Sequence, residues 1–168
     1  MKNVQWSGGT AREWLWASEE MRWRRIYQGR KDQVAQARKF TEALFAGAPC
    51  GEVAALAVSE LATNAIRHSR SGEGGDGWFG LEVVYDNPVY VAVTDMGGHG
   101  IPTPLPEGYG APGKELEESG RGLRMLSELA LTFGVHGSSV FGHTVWVDLD
   151  LNRSLEDESA QSPAALVL

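Results

Sequence analysis

The chain has 168 residues, enough for one domain that buries roughly two-thirds of its unfolded surface. Its 42% hydrophobic and 22% charged residues are those of an ordinary soluble globular protein, and no apolar run approaches the ~20 residues that span a bilayer. Net charge is −7, with +4 on residues 1–31 and −11 on the rest, which disfavours nucleic acid as a partner because such proteins carry a basic field over the folded core.

The first 22 residues form a Trp-rich extension. Trp6, Trp14 and Trp16 are costly to expose, so the segment is expected to pack on its own domain or on a second subunit. Charges at Arg12, Glu13, Glu19 and Glu20 leave no signal-peptide core, and the lone Cys50 excludes an internal disulfide. Both point to the cytoplasm. The main domain is expected over residues 23–150, with a flexible tail at 151–168.

A first strand is read over 21–27, its Arg22-Trp23-Arg24-Arg25 cluster taken as a solvated strand face. Asp32 is placed to cap a helix over 33–46 whose apolar face holds Val34, Ala37, Phe40, Ala43 and Leu44. Gly47-Ala48-Pro49 stops it, and a helix over 51–68 follows. After a glycine-rich loop from 69 to 77, strands over 80–85 and 88–94 are joined by the hairpin signal Asp86-Asn87. Residues 97–119 turn to glycine, proline and acid, the composition of a lid or binding loop. A helix over 121–130 and strands near 131–136 and 143–149 close the domain. This order lacks the βαβ alternation of a parallel sheet. It predicts an α+β, two-layer sandwich: a mixed, mostly antiparallel sheet with helices on one face.

Three motifs carry chemistry. On the helix over 51–68, Glu60, Asn64 and His68 recur at i, i+4 and i+8 beside an apolar stripe of Val58, Leu61 and Ala65, as expected of one wall of a polar cleft. Asn is a poor helix former, so one in mid-helix is usually there for its side chain. Asp95 ends a Val-rich strand before Met96-Gly97-Gly98, where its carboxylate can accept from an exocyclic amine or simply order its own turn. Gly120-Arg121-Gly122-Leu123 opens a helix, where bare backbone and the helix dipole suit a phosphate, although a flexible hinge explains two glycines as well.

In this order and spacing the three motifs resemble the N, G1 and G2 boxes of the GHKL (histidine-kinase-like) ATP-binding superfamily. The short chain, with no phosphoacceptor-histidine helix, is most similar to the anti-sigma-factor serine/threonine kinase branch, the switch-protein kinases. Gly142-His143-Thr144-Val145-Trp146 is similar to the final strand of such kinases. The resemblance covers residues 23–149 and implies a Bergerat-type ATP-binding fold, with ATP and Mg²⁺ as cofactors. It implies Glu60 as general base for the acceptor serine and Asn64 as the Mg²⁺ ligand. Asp95 would read the adenine amine while Gly97 and Gly98 close over the base. Gly120 and Gly122, with the lid from His99 to Ser119, would wrap the phosphates, Arg121 would pair with a phosphate or point to solvent, and Leu123 and Thr144 complete the nucleotide-binding set. For His68 a place in helix-end packing is expected rather than a catalytic role.

The same resemblance implies protein partners, a sigma factor to sequester and an anti-sigma-factor antagonist to phosphorylate, and a homodimer, with no direct nucleic-acid contact and no membrane. The sequence departs from the family pattern at His99, which stands between Gly98 and Gly100 where the box carries glycine. Glu107, Glu115, Glu117 and Glu118 also make the lid acidic, with Lys114 and Arg121 nearby. These departures keep a second reading open, a non-catalytic nucleotide-binding interaction module with a degenerate kinase site.

Overall fold

The computed structural model describes residues 21–98 and 118–155, and the side chains within the second span from residue 122 onward. Residues 1–20 of the Trp-rich extension, nearly all of the expected lid and most of the tail lie outside the described residues, while Met21 and Arg22, counted with the extension, begin the first strand.

Five strands form one sheet in the order β1-β2-β3-β5-β4. They are β1 (Met21–Gln28), β2 (Trp78–Tyr85), β3 (Val89–Thr94), β4 (Thr132–Ser138) and β5 (Gly142–Leu149). The pairings β1 with β2, β2 with β3, β3 with β5 and β4 with β5 are all antiparallel. Helices α1 (Lys31–Leu44), α2 (Gly51–His68) and α3 (Glu118–Leu129) complete an α+β sandwich. Its two layers arise from strand alternation: Phe79, Leu81 and Val83, Val89, Val91 and Val93, and Val145, Val147 and Leu149 all enter one hydrophobic core with the helices. The intervening residues Glu82, Tyr90 and Trp146 face the other way, where the Trp146 ring lies so close to Gly134 that a Cβ there would come within 2.3 Å of it.

Helix α2 is the central pillar. Its Val53, Ala54, Ala57, Val58, Leu61, Ala62 and Ala65 are all buried, and the run of alanines lets the helix lie close to the sheet. Burying Leu61 alone contributes roughly 1.5–3 kcal/mol. Its limits coincide with those read from periodicity, 51–68.

Other boundaries shift for identifiable reasons. Helix α1 begins at Lys31 and its N-cap, Arg30, makes no side-chain cap. Asp32, expected to be that cap, instead takes two hydrogen bonds of 2.9 Å from the Arg30 guanidinium. This fork holds the Asp32 carboxyl down to about 2. Ala37 and Thr41 form the buried line of α1, with Val34, Phe40 and Leu44 packed beside them, while Ala43 is exposed rather than on the apolar face. The helix ends at Leu44 with Phe45 as its C-cap, and Gly47, at φ +83°, turns the chain toward the next helix. Helix α3 starts at Glu118, three residues before the expected 121, so Gly120 and Gly122 lie inside its first turns rather than ahead of them. The β2–β3 connection is Asp86-Asn87-Pro88, one residue longer than the two-residue hairpin expected.

The arginines of β1 are exposed, as expected, but they have partners: Arg22 and Arg24 both bond Glu82, and Arg25 lies 4.4 Å from the Phe40 ring centroid. Among the described residues, no helix is long and apolar enough to cross a membrane.

Candidate nucleotide site

Asp95 and the glycine turn lie at one end of the sheet, where β3 leaves it and β5 enters it. Asp95 follows the last residue of β3 and is only 5% exposed. Its Oδ1 accepts from the backbone N–H of Gly97 at 2.6 Å and of His143 at 2.8 Å. One carboxylate oxygen therefore orders the turn. Among the described residues no hydrogen bond engages the other, Oδ2, which leaves it to serve as an acceptor for something else.

The turn needs its glycines. Gly97 sits at φ +71° and Gly98 at φ +130°, conformations that side-chain-bearing residues rarely adopt. A Cβ on Gly97 would also meet the Ser139 carbonyl oxygen at 2.4 Å. The Gly98 N–H donates to that same carbonyl at 2.9 Å, fastening the turn to the β4–β5 hairpin.

A segment that the sequence reading passed over as loop holds the turn from the other side. The Arg70 N–H donates to the Gly97 carbonyl at 2.7 Å. Its guanidinium donates to the Met96 carbonyl through Nε (3.1 Å) and Nη2 (2.6 Å), and through Nη2 to the Val140 carbonyl at 2.8 Å. Ser71 Oγ accepts from the Met96 N–H at 3.0 Å, and Ser69 Oγ donates to the Ala65 carbonyl at 2.6 Å. The end of α2, the glycine turn and the hairpin are thereby laced together. The only sequence signal was Ser69-Arg70-Ser71 directly after a helix, a pattern typical of side-chain-capped turns.

Helix α2 supplies the facing wall. Asn64 is 6% exposed, and neither its Oδ1 nor its Nδ2 has a hydrogen-bond partner among the described residues. An amide buried in that state costs roughly 1–3 kcal/mol, so such groups call for an explanation. Glu60, one turn earlier, is partly buried; burial raises its carboxyl above the usual glutamate range, and Arg67 opposes the shift. His68, the third member of the stripe, is exposed at the helix end, which separates it from the other two.

Helix α3 closes the corner. A Cβ on Gly122 would fall 1.8 Å from Glu60 Oε2, so the second glycine of the Gly-x-Gly pair lies directly against the Glu60 carboxylate. The Leu123 side chain belongs to the hydrophobic core, which leaves only its backbone for a ligand. Gly120 and Arg121 occupy the first turn of α3. Thr144 is paired with Thr94, Oγ1 to Oγ1 at 2.8 Å, on the sheet face that also carries Trp146. Strand alternation places His143, not Thr144, beside Asp95. His143 is 4% exposed with Nδ1 3.9 Å from Asp95 Oδ1. A one-residue step in strand phase decides which side chain faces the site, and the sequence motif alone did not fix that phase.

The candidate groups are thus an acceptor at a strand end, a left-handed glycine turn, a buried amide with no partner among the described residues, and a partly buried carboxylate. A search of the curated proteins returned no match. The family model of the histidine kinase-like ATPase domain matches residues 27–148, a span from the end of β1 to the penultimate residue of β5 that includes Glu60, Asn64, Asp95, Gly97, Gly98, Gly122 and His143. The chain belongs to the histidine kinase-like ATPase domain family.

Proposed function

We propose that this protein is an ATP- and Mg²⁺-dependent protein serine/threonine kinase acting as an anti-sigma factor, which phosphorylates an anti-sigma-factor antagonist and sequesters a sigma factor. The observation that carries the reading is the pairing on α2 of a desolvated carboxylate, Glu60, with an unpartnered buried amide, Asn64, one turn apart. A nucleotide-binding relic has no need of a carboxylate kept half out of water beside its phosphate end. A kinase does, because phosphoryl transfer asks of the protein chiefly positioning, charge neutralisation and a base for the nucleophile.

Asp95 Oδ2 accepts from the adenine amine, and the turn at Gly97 and Gly98 seats the base. The first turns of α3, with Gly120 and Arg121, meet the phosphates. Asn64 fits a role toward Mg²⁺: an amide oxygen is a suitable donor to a hard cation, and this one has no other partner among the described residues. When bound, Mg²⁺ neutralises phosphate charge. Glu60 takes the proton of the acceptor serine as the new O–P bond forms and the bond from the γ-phosphorus to the departing ADP oxygen breaks. The protein partners and a homodimeric state belong to the same proposal and rest on the sequence resemblance, while a cytoplasmic location rests on the charges of the N-terminal segment and the lone Cys50.

The test is phosphate transfer from radiolabelled MgATP to a panel of purified anti-sigma-factor antagonists. Wild type is expected to label one of them on serine or threonine. Glu60→Ala should lose about 100-fold or more in transfer rate while binding MgATP and the partner normally. Labelling that survives Glu60→Ala unchanged would remove Glu60 from the mechanism. MgATP binding with no transfer to any antagonist would instead favour the non-catalytic interaction module, a reading that His99 in the glycine box also supports.

A further inference from the structure

The kinase reading gives the second glycine of Gly120-Arg121-Gly122 to the phosphates, yet the nearest thing to it is the carboxylate of Glu60. A Cβ built on Gly122 would lie 1.8 Å from Oε2, 2.5 Å from Cδ and 3.1 Å from Cγ of that side chain. All three nearest atoms belong to one residue of another helix, and no backbone atom is among them. Gly122 is buried and sits within α3, where glycine is a poor helix former. Something other than helix stability keeps the position bare.

We infer that Gly122 is a positioning residue for Glu60: by omitting a side chain, α3 leaves the space in which the Glu60 carboxyl rests and walls it off from water. This rests on the assignment of Glu60 as the base. It follows that the base is seated only while α3 is docked on α2.

Alanine at 122 discriminates this role from phosphate contact. The obstructing atoms are the end of a flexible side chain, so Gly122→Ala is expected to fold, with the carboxylate displaced toward solvent. In wild type, the ¹³Cδ resonance of Glu60, assigned by its absence from Glu60→Gln, should titrate above the ordinary glutamate range. Burial is the cause, and Arg67 is the described charged group that opposes it. In Gly122→Ala the titration should fall back into the ordinary range. Phosphate transfer should drop by about tenfold or more while calorimetric MgATP affinity changes by less than about threefold, the division expected when a base is misplaced and binding is spared. Glu60→Asp, which withdraws the carboxylate by one methylene, should cost much less activity in the Gly122→Ala background than in wild type.

The inference is overturned if Gly122→Ala leaves the Glu60 titration where it was, and most directly if MgATP affinity falls instead. A wild-type protein that transfers no phosphate would sink the kinase reading alone. The titration shift would still decide whether Gly122 seats Glu60.

Discussion

Asn64 places a polar amide where the fold by itself would have been better served by a hydrocarbon. Its neighbours on α2 are Leu61, Ala62 and Ala65, all buried, and its own two polar atoms find no partner among the described residues. Replacing such a group with an apolar one of similar shape removes a desolvation cost of roughly 1–3 kcal/mol. Asn64→Leu should therefore stabilise the nucleotide-free protein, by about 1 kcal/mol or more in urea unfolding, while abolishing Mg²⁺-dependent nucleotide binding. A variant less stable than wild type would mean that the amide is satisfied in solution and is not held ready for a ligand. Glu60 presents the same conflict in a titratable form. Its raised pKa means that the folded state holds the proton more tightly than the unfolded chain, so its contribution to stability is full at low pH and is lost as pH rises through the folded value. In its proposed role of base it would work only above that value. The acid limb of the transfer rate should accordingly lie above the ordinary glutamate range and should vanish in Glu60→Gln, which at neutral pH should be no less stable than wild type.

At the scale of elements, what could be read in advance was what depends on neighbours along the chain. The limits of α2 follow from its stripe of small apolar residues and from the Gly47 and Pro49 stop before it. The valine-rich run after the Asp86-Asn87 turn signal marks β3 for the same reason. Contacts between distant elements were not legible. No periodicity reveals that an arginine after α2 reaches across 26 residues to Met96 and 70 to Val140, or that Gly122 meets Glu60. The early start of α3 was also hidden, because Gly120 and Gly122 depress helix propensity where packing against α2 compensates. The lacing by Arg70 has a consequence that can be measured. Arg70→Ala frees the Met96 and Val140 carbonyls to water, so the cost in global stability should be about 1 kcal/mol or less. The glycine turn, however, loses its clamp. Amide exchange at Gly97 and Gly98 should speed up, and nucleotide affinity should fall by about three- to tenfold as the binding free energy is spent on ordering the turn. Unchanged exchange at both glycines would show that Asp95 and Ser139 fix the turn without help.

For the whole molecule the decisive quantity is charge. A site for polyanionic ATP is carried on a chain of net charge −7, of which −11 lies beyond residue 31. In the chain, just before Gly122, Lys114 and Arg121 stand against Glu115, Glu117 and Glu118. The long-range field therefore opposes the ligand, and in the proposed reading the contacts that win would be short ones: adenine to Asp95, the backbone of the glycine turn, and a cation at Asn64. Salt distinguishes these ranges. Raising ionic strength from about 0.01 M to about 0.1 M shortens the Debye length from about 30 Å to about 10 Å, which screens the distant acids far more than groups in contact. In the absence of Mg²⁺, ATP affinity should therefore rise with added NaCl over that interval. With Mg²⁺ present, affinity should be higher throughout and the salt dependence flatter, since a bound cation cancels much of the charge that the field acts on. An affinity for free ATP that falls steeply with salt would reverse the argument. It would mean that basic side chains close to the phosphates, rather than metal and hydrogen bonds, dominate the site, and that Arg121 is the residue to change first.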